Sequence, residues 1–352
     1  MQYILHVTQQ CNMACDYCIA PKTSGFMSHE TAFKVADMAL AYALHHGNKI
    51  TCLSFYGGEP LLCKELIYDT IDYCNHLSHE SNVLFTYRAT TNGTLVDDRF
   101  IERCKTAGLR LALSIDGTMD AHDKHRRFHN GGTTFEEVAR IGKVILRELP
   151  DTIAMLTLNE DTMPMFYDSV IFLRAFGFKT VAIALNYTTN WSESGLMALS
   201  SQYKRLADWY SELLLNNECF ALPLFDNKFI NLITPEIDEG RCIPGRRQIS
   251  IATNGDIYPC TQYVGYNEYF LGNTNYDIEP NKSKLASLAI EHSKELPSCE
   301  GCAINKRCDH MCGCKNLAST GFARRVSPLV CAHEKMLVGI ADRLGEKIFV
   351  TR

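Results

Sequence analysis

Thr8-Gln9-Gln10-Cys11-Asn12-Met13-Ala14-Cys15-Asp16-Tyr17-Cys18 follows directly on a short run, residues 3–7, that is apolar apart from His6. A β-like run that feeds into three closely spaced cysteines places thiols at the carboxyl end of a first strand. Iron–sulfur clusters held entirely by protein take four thiolates. A local set of three, Cys11, Cys15 and Cys18, therefore suggests a cluster with one iron left for a non-protein ligand. Part of a zinc site is the alternative, since structural zinc takes four protein ligands, usually in pairs.

Beyond that loop, β-rich runs near 50–55, 83–88, 110–115, 153–158 and 180–185 alternate with helix-like stretches near 29–46, 64–77, 97–107, 134–149 and 165–176. Ser28 is placed to cap the first helix and Gly47 to end it. Such alternation predicts βαβ units and an α/β parallel sheet, either rolled as a partial (β/α)6 TIM barrel or open and doubly wound. Both forms collect ligands at the carboxyl ends of the strands. Those ends carry the cysteine loop, Tyr56-Gly57-Gly58-Glu59-Pro60, Thr91-Asn92-Gly93 and Asp116-Gly117. The pattern predicts strand–helix units over 1–190, a helical bridge over 191–235 with Trp209 and Tyr210 in its core, and a cysteine-rich region over 236–352. In that last region Thr253-Asn254-Gly255 reads as a hairpin turn, with Asp256 a hairpin residue rather than a base. Residues 333–348 read as a closing helix.

A chain of 352 residues can bury one large core, or a main domain and a smaller one. Net charge is −5 with 21% charged residues, so no basic excess points to nucleic acid or an anionic membrane. No run approaches the ~18 apolar residues of a spanning helix, and the strand-like start is unlike a signal peptide. Sixteen cysteines in tight groups then predict ligation in a reducing, anaerobic cytoplasm rather than a disulfide framework. Cys52, Cys63, Cys74, Cys104 and Cys219 lie in strand- or helix-like contexts and read as small buried apolar residues.

The triad Cys11-x3-Cys15-x2-Cys18, Gly57-Gly58-Glu59-Pro60 after the second strand and Ser114-Ile115-Asp116-Gly117 after the fourth together resemble the radical S-adenosylmethionine (SAM) enzymes. The resemblance covers roughly residues 1–190 and implies the partial barrel. It implies that Cys11, Cys15 and Cys18 hold a 4Fe–4S cluster whose open iron binds the amino and carboxylate groups of SAM. An electron from that cluster splits SAM, and the 5′-deoxyadenosyl radical abstracts a substrate hydrogen. Gly57 and Gly58 would let backbone approach the methionine amino group, with Glu59 and Pro60 fixing the turn. Thr91-Asn92-Gly93-Thr94 resembles the family's turn after the third strand, where a plain turn into a capped helix reads equally well. Ser114 and Arg126 match positions that reach the SAM carboxylate or ribose, and an arginine fork suits a carboxylate. Tyr17 could pack near the adenine or hold the loop, and Asn186, Tyr187 and Tyr258 are candidates for the cavity wall.

Cys242-x12-Gly255-x4-Cys260, then Cys299-x2-Cys302-x5-Cys308-x3-Cys312, then Cys331 resembles the SPASM extension of that family. The resemblance implies two auxiliary 4Fe–4S clusters, three clusters in all. Cys299, Cys302, Cys308 and Cys331 would complete one, and Cys242, Cys260 and Cys312 would hold the other. Sulfatase-maturing relatives supply a fourth cysteine soon after the first, and residues 243–250 contain none. Either Cys314 fills that place, or the iron is open to a substrate thiolate. A zinc ribbon is the non-redox alternative.

SPASM enzymes mostly modify peptides and proteins, so the expected substrate is a peptide and the expected reaction an intrapeptide thioether or carbon–carbon cross-link. The chain starts at its first strand with no leader-binding winged helix, so recognition is expected through its own cavity or a separate leader-binding protein. A ferredoxin or flavodoxin is the expected electron donor. Sulfatase maturases carry an aspartate after the cysteine equivalent to Cys260; here Thr261 stands there and cannot take a proton at neutral pH. Epimerisation, formylglycine formation and a small-molecule dehydrogenation are the rival reactions.

Overall fold

The computed structural model describes residues 1–20, 25–233, 242–276, 279–309 and 312–350. Its first strand, β1 (Gln2–Thr8), is buried along nearly its whole length, as a parallel strand is when both of its faces are covered. Helix α1 (His29–His45) follows, capped by Ser28, whose hydroxyl accepts from the Thr31 N–H, and Gly47 sits just beyond its end at φ +65°. The alternation continues with β2 (Ile50–Gly57), α2 (Lys64–Ser81), β3 (Leu84–Thr91), α3 (Asp98–Ala107) and β4 (Arg110–Ser114). Then come α4 (Met119–His125), α5 (Phe135–Glu148), β5 (Ile153–Leu158), α6 (Phe166–Phe176) and β6 (Val181–Leu185). Helices α7 (Glu193–Leu215) and α8 (Pro223–Ile233) follow, within the stretch 191–235 that reads as helical. The cysteine-rich region adds β7 (Gln248–Ile251), β8 (Ile257–Tyr258), α9 (Lys282–Ser293), α10 (Gly313–Thr320) and α11 (Pro328–Val350).

The sheet runs β6-β5-β4-β3-β2-β1-β7-β8. All neighbours are parallel except β7 and β8, the predicted hairpin, which turns through Gly255 at φ +89°. β6 and β8 form the two edges, so the strands do not close into a ring. Residues from the ends of β1 and β6 nonetheless line one cavity. That convergence needs a sheet curled into a partial barrel, because a flat sheet would hold its outer strands apart.

Strand β7 pairs with β1 from Gln2↔Gln248 to Leu5↔Ile251. The cysteine-rich region is thus hydrogen-bonded into the same sheet as the amino-terminal units. The boundary predicted near 235 falls outside the described residues. Three helices, α4, α9 and α10, have no counterpart in the periodicity. The closing helix starts at Pro328, which brings Cys331 into its first turn. Tyr210 is buried as expected, with Trp209 partly so. Cys74 and Cys104 are buried and Cys52 and Cys63 half-buried, but Cys219 is exposed in the turn after α7, contrary to the sequence reading. Among the described residues no helix is long and apolar enough to cross a membrane.

Helix α11 packs on α7 and α8, and the α8 contact contains a buried ion pair. Lys228 Nζ lies 2.7 Å from Glu334 Oε2 and 3.2 Å from Asp309 Oδ2, with the Lys228 and Glu334 side chains 3% and 1% exposed. A buried pair adds little net stability, yet removing one partner leaves an uncompensated charge. Lys228→Met is expected to cost about 3–5 kcal/mol in urea unfolding, and adding Glu334→Leu to recover most of that loss.

The imidazoles of His6, His122 and His333 are among those almost fully buried. Burial pushes them down to about 4, about 4 and about 3, helped at His122 by Arg126 and at His333 by Lys315 and Lys228. Above pH 6.5 they are neutral folded or unfolded and leave stability unchanged. Between pH 6.5 and their folded values the unfolded chain takes up protons that the native state refuses, so stability falls as the pH is lowered. Lowering the pH from 6.5 to 5 should remove on the order of 2 kcal/mol per imidazole. Urea midpoints at the two pH values test this, and His122→Gln should flatten the dependence.

Candidate active site

The cysteine loop is fastened to the end of β2 by backbone alone. The Gly58 N–H donates to Thr8 O and the Glu59 N–H to Gln10 O, both at 2.8 Å. A Cβ on Gly57 would lie 2.0 Å from Thr8 O, and one on Gly58 2.1 Å from Gln10 O. Gly57 also has φ +136°. The sequence reading gives this pair room for SAM; the close approach visible here is to the cysteine loop itself, although both glycines also face the cavity.

Glu59 is fully buried and ties three segments together. Its carboxylate accepts from the Leu61 N–H at 3.0 Å, the Thr91 hydroxyl at 2.7 Å and the Asn92 N–H at 2.7 Å. Burial raises its pKa, opposed by those three donors. Pro60 opens the short 3-10 turn that Glu59 caps. Asn92 Nδ2 then donates to Asn12 Oδ1 at 2.8 Å and stands 3.8 Å from Cys11 Sγ, so the β3 turn grips the triad loop directly.

The opposite side of the loop is held from β4 and α4. Asp116 Oδ2 accepts from Tyr17 Oη at 2.5 Å and from Arg126 Nε at 2.9 Å, and Asp116 Oδ1 accepts from the Thr157 N–H at 2.9 Å. Arg126 Nη1 is 4.0 Å from Cys15 Sγ, and the guanidinium lies 5.4 Å from the Tyr17 ring centroid, within cation–π range. Burial disfavours the Arg126 charge, but Asp116, Tyr17 and Cys15 together hold its pKa above the ordinary value. His122 fixes the base of this group, its Nδ1 accepting from the Asp116 N–H at 3.3 Å. Arg126 is read from sequence as a SAM ligand; in the structure its Nε is committed to Asp116 while the side chain still faces the cavity.

These pieces enclose a cavity of about 430 Å³. Cys11, Cys15, Tyr17 and Cys18 form one wall, Gly57, Gly58 and Glu59 a second, and Asn92, Ser114 and Arg126 a third. Asn186 and Tyr187 reach it from the end of β6, whereas Pro60, Asp116 and Tyr258 are not among its lining residues. Gln262, Lys315 and Ala318 close it from the cysteine-rich region. Tyr187 Oη is 2.8 Å from His333 Nδ1, and Tyr203 Oη is 2.9 Å from His333 Nε2. Lys315 Nζ lies 5.3 Å from the Tyr187 ring centroid. Burial opposes its charge, yet Tyr187, Asp309, Cys312 and Glu334 hold its pKa above the usual lysine value. An adjoining cavity of about 380 Å³ is lined by His6, Thr261 and Cys314 and shares Tyr56, Thr188 and Gln262 with the first. His6 Nε2 is buried without a hydrogen-bond partner. Its only sequence signal is that it interrupts the otherwise apolar run of residues 3–7.

The triad fits a cluster with one open position: three thiols share the cavity wall, and no fourth cysteine or histidine joins them among the described lining residues. Burial pushes the Cys11 thiol up to about 11 and raises that of Cys15 against the pull of Arg126. Ligation there must displace protons. In the cysteine-rich region, contacts run from Cys242 to Cys312, from Cys312 to Cys314 (Sγ···Sγ 3.2 Å) and from Cys314 to Cys260. Cys299 neighbours Cys302 and Cys331. Cys308 follows the short turn Asn305–Arg307.

Gly58→Ala should dislodge the cysteine loop and lower iron bound per chain after anaerobic reconstitution, by the share that Cys11→Ala removes. Gly339→Ala, in α11 with nothing near its Cβ, should keep full iron and gain up to about 1 kcal/mol of helix stability.

Residues 5–172 match the family model of the Radical SAM superfamily. The chain is 30% identical over 284 residues to an uncharacterised protein of Methanocaldococcus jannaschii, covering 80% of this chain and 90% of that one. It is 22% identical over 315 residues to the cysteine-type anaerobic sulfatase-maturating enzyme of Clostridium perfringens, covering 82% and 83%. The solved structure of native anSMEcpe with bound AdoMet and Cp18Cys peptide has the same fold, with TM-score 0.80 at 19% identity over 100% of this chain and 99% of that one. The chain is therefore an enzyme of the radical SAM superfamily, similar along most of its length to the sulfatase-maturating enzymes.

Proposed function

We propose that this enzyme oxidises a peptide by two electrons and closes an intrapeptide thioether or carbon–carbon cross-link. The observation that carries the reading is the shared cavity, which has Cys11, Cys15 and Cys18 at one end and Lys315, adjacent to Cys314, at the other. A solved structure of the same fold holds AdoMet together with a peptide. When bound at the triad, a 4Fe–4S cluster and SAM supply hydrogen-atom abstraction. Gly57, Gly58, Asn92, Ser114 and Arg126 are the wall residues that would hold SAM, with Tyr17 braced against Arg126. Lys315 and Gln262 face the substrate end and suit a peptide carbonyl or carboxylate. The C-terminal cysteines would hold two auxiliary clusters, through Cys299, Cys302, Cys308 and Cys331 and through the set around Cys242, Cys260 and Cys312. Those centres would accept the second electron, and a ferredoxin or flavodoxin would exchange electrons with the enzyme.

The proton that leaves with that electron goes to His6 in this reading. A folded value of about 4 makes His6 neutral at pH 7 and a weak base. A weak base is sufficient here, because loss of an electron makes a thiol beside a carbon radical far more acidic than the resting thiol.

Formylglycine formation is the second reading, favoured by the match to the sulfatase-maturating enzyme along most of both chains. Thr261 stands against it: its hydroxyl is paired with Ser250 Oγ at 3.2 Å and offers no carboxylate. Anaerobic incubation with SAM, a reductant and the small peptides encoded beside its gene separates the two by mass spectrometry. A cross-link removes two hydrogens per event, whereas formylglycine removes two hydrogens and also exchanges the cysteine's sulfur for oxygen. SAM cleavage that leaves every such peptide, and a cysteine peptide of the sulfatase type, unchanged would overturn the peptide reading.

A further inference from the structure

The sequence leaves one auxiliary set a thiolate short, with Cys314 and an open iron as the alternatives. The fold brings Cys314 into that set. Cys242, Cys260 and Cys312 come from three separate segments: the stretch before β7, the end of β8 and the cap of α10. Cys314 touches two of them, Cys312 at 3.2 Å and Cys260 through a thiol hydrogen bond. It sits in the first turn of α10, two residues beyond the Cys312 cap.

Gly313, between the two cysteines, is packed too tightly for any side chain. A Cβ there would lie 2.1 Å from Tyr263 Oη and 2.7 Å from His292 Cε1. The Cys-Gly-Cys turn is therefore held against Tyr263, and both thiols are presented from one rigid edge. Tyr263 supplies an independent observation. Its hydroxyl is buried with no hydrogen-bond partner, near Cys314, Cys260 and Cys242, and a buried donor left unpaired is costly. Sulfur atoms of a cluster are acceptors for such a donor, and hydrogen bonds to them tune its potential. Cys260 already accepts from Gln248 Nε2 at 3.1 Å. Among the described residues no three His, Cys, Asp or Glu side chains surround a common metal-sized point. The thiols instead touch in a chain, and ligation requires them to turn toward one centre.

We propose that Cys314 is the fourth thiolate of the Cys242, Cys260 and Cys312 centre, so that this auxiliary cluster is closed by protein. The inference rests on the iron–sulfur reading of the C-terminal cysteines and deepens it. A closed cluster does not anchor the substrate thiol. It would accept the electron across the wall of the adjoining cavity, which Cys314 helps to line, and substrate placement would fall to side chains such as Lys315 and Gln262.

The test uses the full chain with Cys11, Cys15 and Cys18 each replaced by alanine, so that only the auxiliary centres load. It is reconstituted anaerobically with labelled iron and sulfide, then studied by Mössbauer spectroscopy and by pulsed EPR with nitrogen-labelled imidazole as probe. With Cys314 present, no imidazole nitrogen couples to either cluster. Adding Cys314→Ala makes one cluster gain that coupling or lose its iron, while Cys219→Ala changes neither. Cys314→Ser keeps the iron and shifts the reduction potential of one cluster. Imidazole coupling with Cys314 in place would overturn the proposal and leave the iron–sulfur reading standing, as would spectra unchanged by Cys314→Ala. Zinc in place of iron would overturn both.

Discussion

Two backbone hydrogen bonds, from Gly58 to Thr8 and from Glu59 to Gln10, hold the cysteine loop where it is. They form only because neither glycine carries a side chain, since a Cβ at either position would sit about 2 Å from a carbonyl oxygen. The rest of the site is built outward from that seam. Glu59, displaced into the interior by the same turn, extends the fastening to β3 through Thr91 and Asn92. Asn92 then reaches back to the triad through Asn12. From the other side, Asp116 orients Arg126 and Tyr17 toward Cys15. Three thiols in a loop of irregular backbone are thereby fixed by strands that are themselves fixed by the sheet, which is how a reactive centre is kept rigid without depending on the loop's own stability.

The second constraint is the pairing of β7 with β1. It is an ordinary parallel ladder, yet it decides where the cysteine-rich region sits. The strand that carries the triad on its carboxyl end is flanked on one side by the glycine pair and on the other by the hairpin leading to Cys260. Chemistry at either group of cysteines is therefore referred to the same strand. Gln262 and Lys315 reach the cavity as a result.

Local signals carried most of what the sequence revealed. The triad, the glycine pair, the hairpin at Asn254-Gly255, the Ser28 cap and the six parallel strands all write themselves in spacing or periodicity over a dozen residues or fewer. What escaped was long-range or isotropic in sequence. The β1–β7 register joins residues some 245 positions apart and leaves no pattern in either strand. Helix α4, Met-Asp-Ala-His-Asp-Lys-His, is short and has no apolar stripe, although it positions His122 and ends at Arg126. Asp116 read as part of a strand-end motif facing a ligand, whereas it is held by three partners and is not among the residues that line the cavity. Pro60 likewise belongs to the turn rather than to the cavity. Cys219 looked like a core residue because its neighbours are helical, but it lies beyond the helix end in an exposed turn.

The pair of tyrosines on His333 has one more implication. Tyr203 is wholly buried, and its hydroxyl hydrogen has His333 Nε2 to go to. Leaving that hydrogen unpaired would be costly, so Nε2 is an acceptor. Burial keeps the imidazole neutral, so its single hydrogen is on Nδ1 and points at Tyr187 Oη. Tyr187 then receives a hydrogen bond from behind and has its own hydrogen free for the cavity. A tyrosine on α7, out of reach of any substrate, thus sets the polarity of the cavity wall: at Tyr187 the bound molecule meets a donor, and a carbonyl or thiolate is the group that completes the chain.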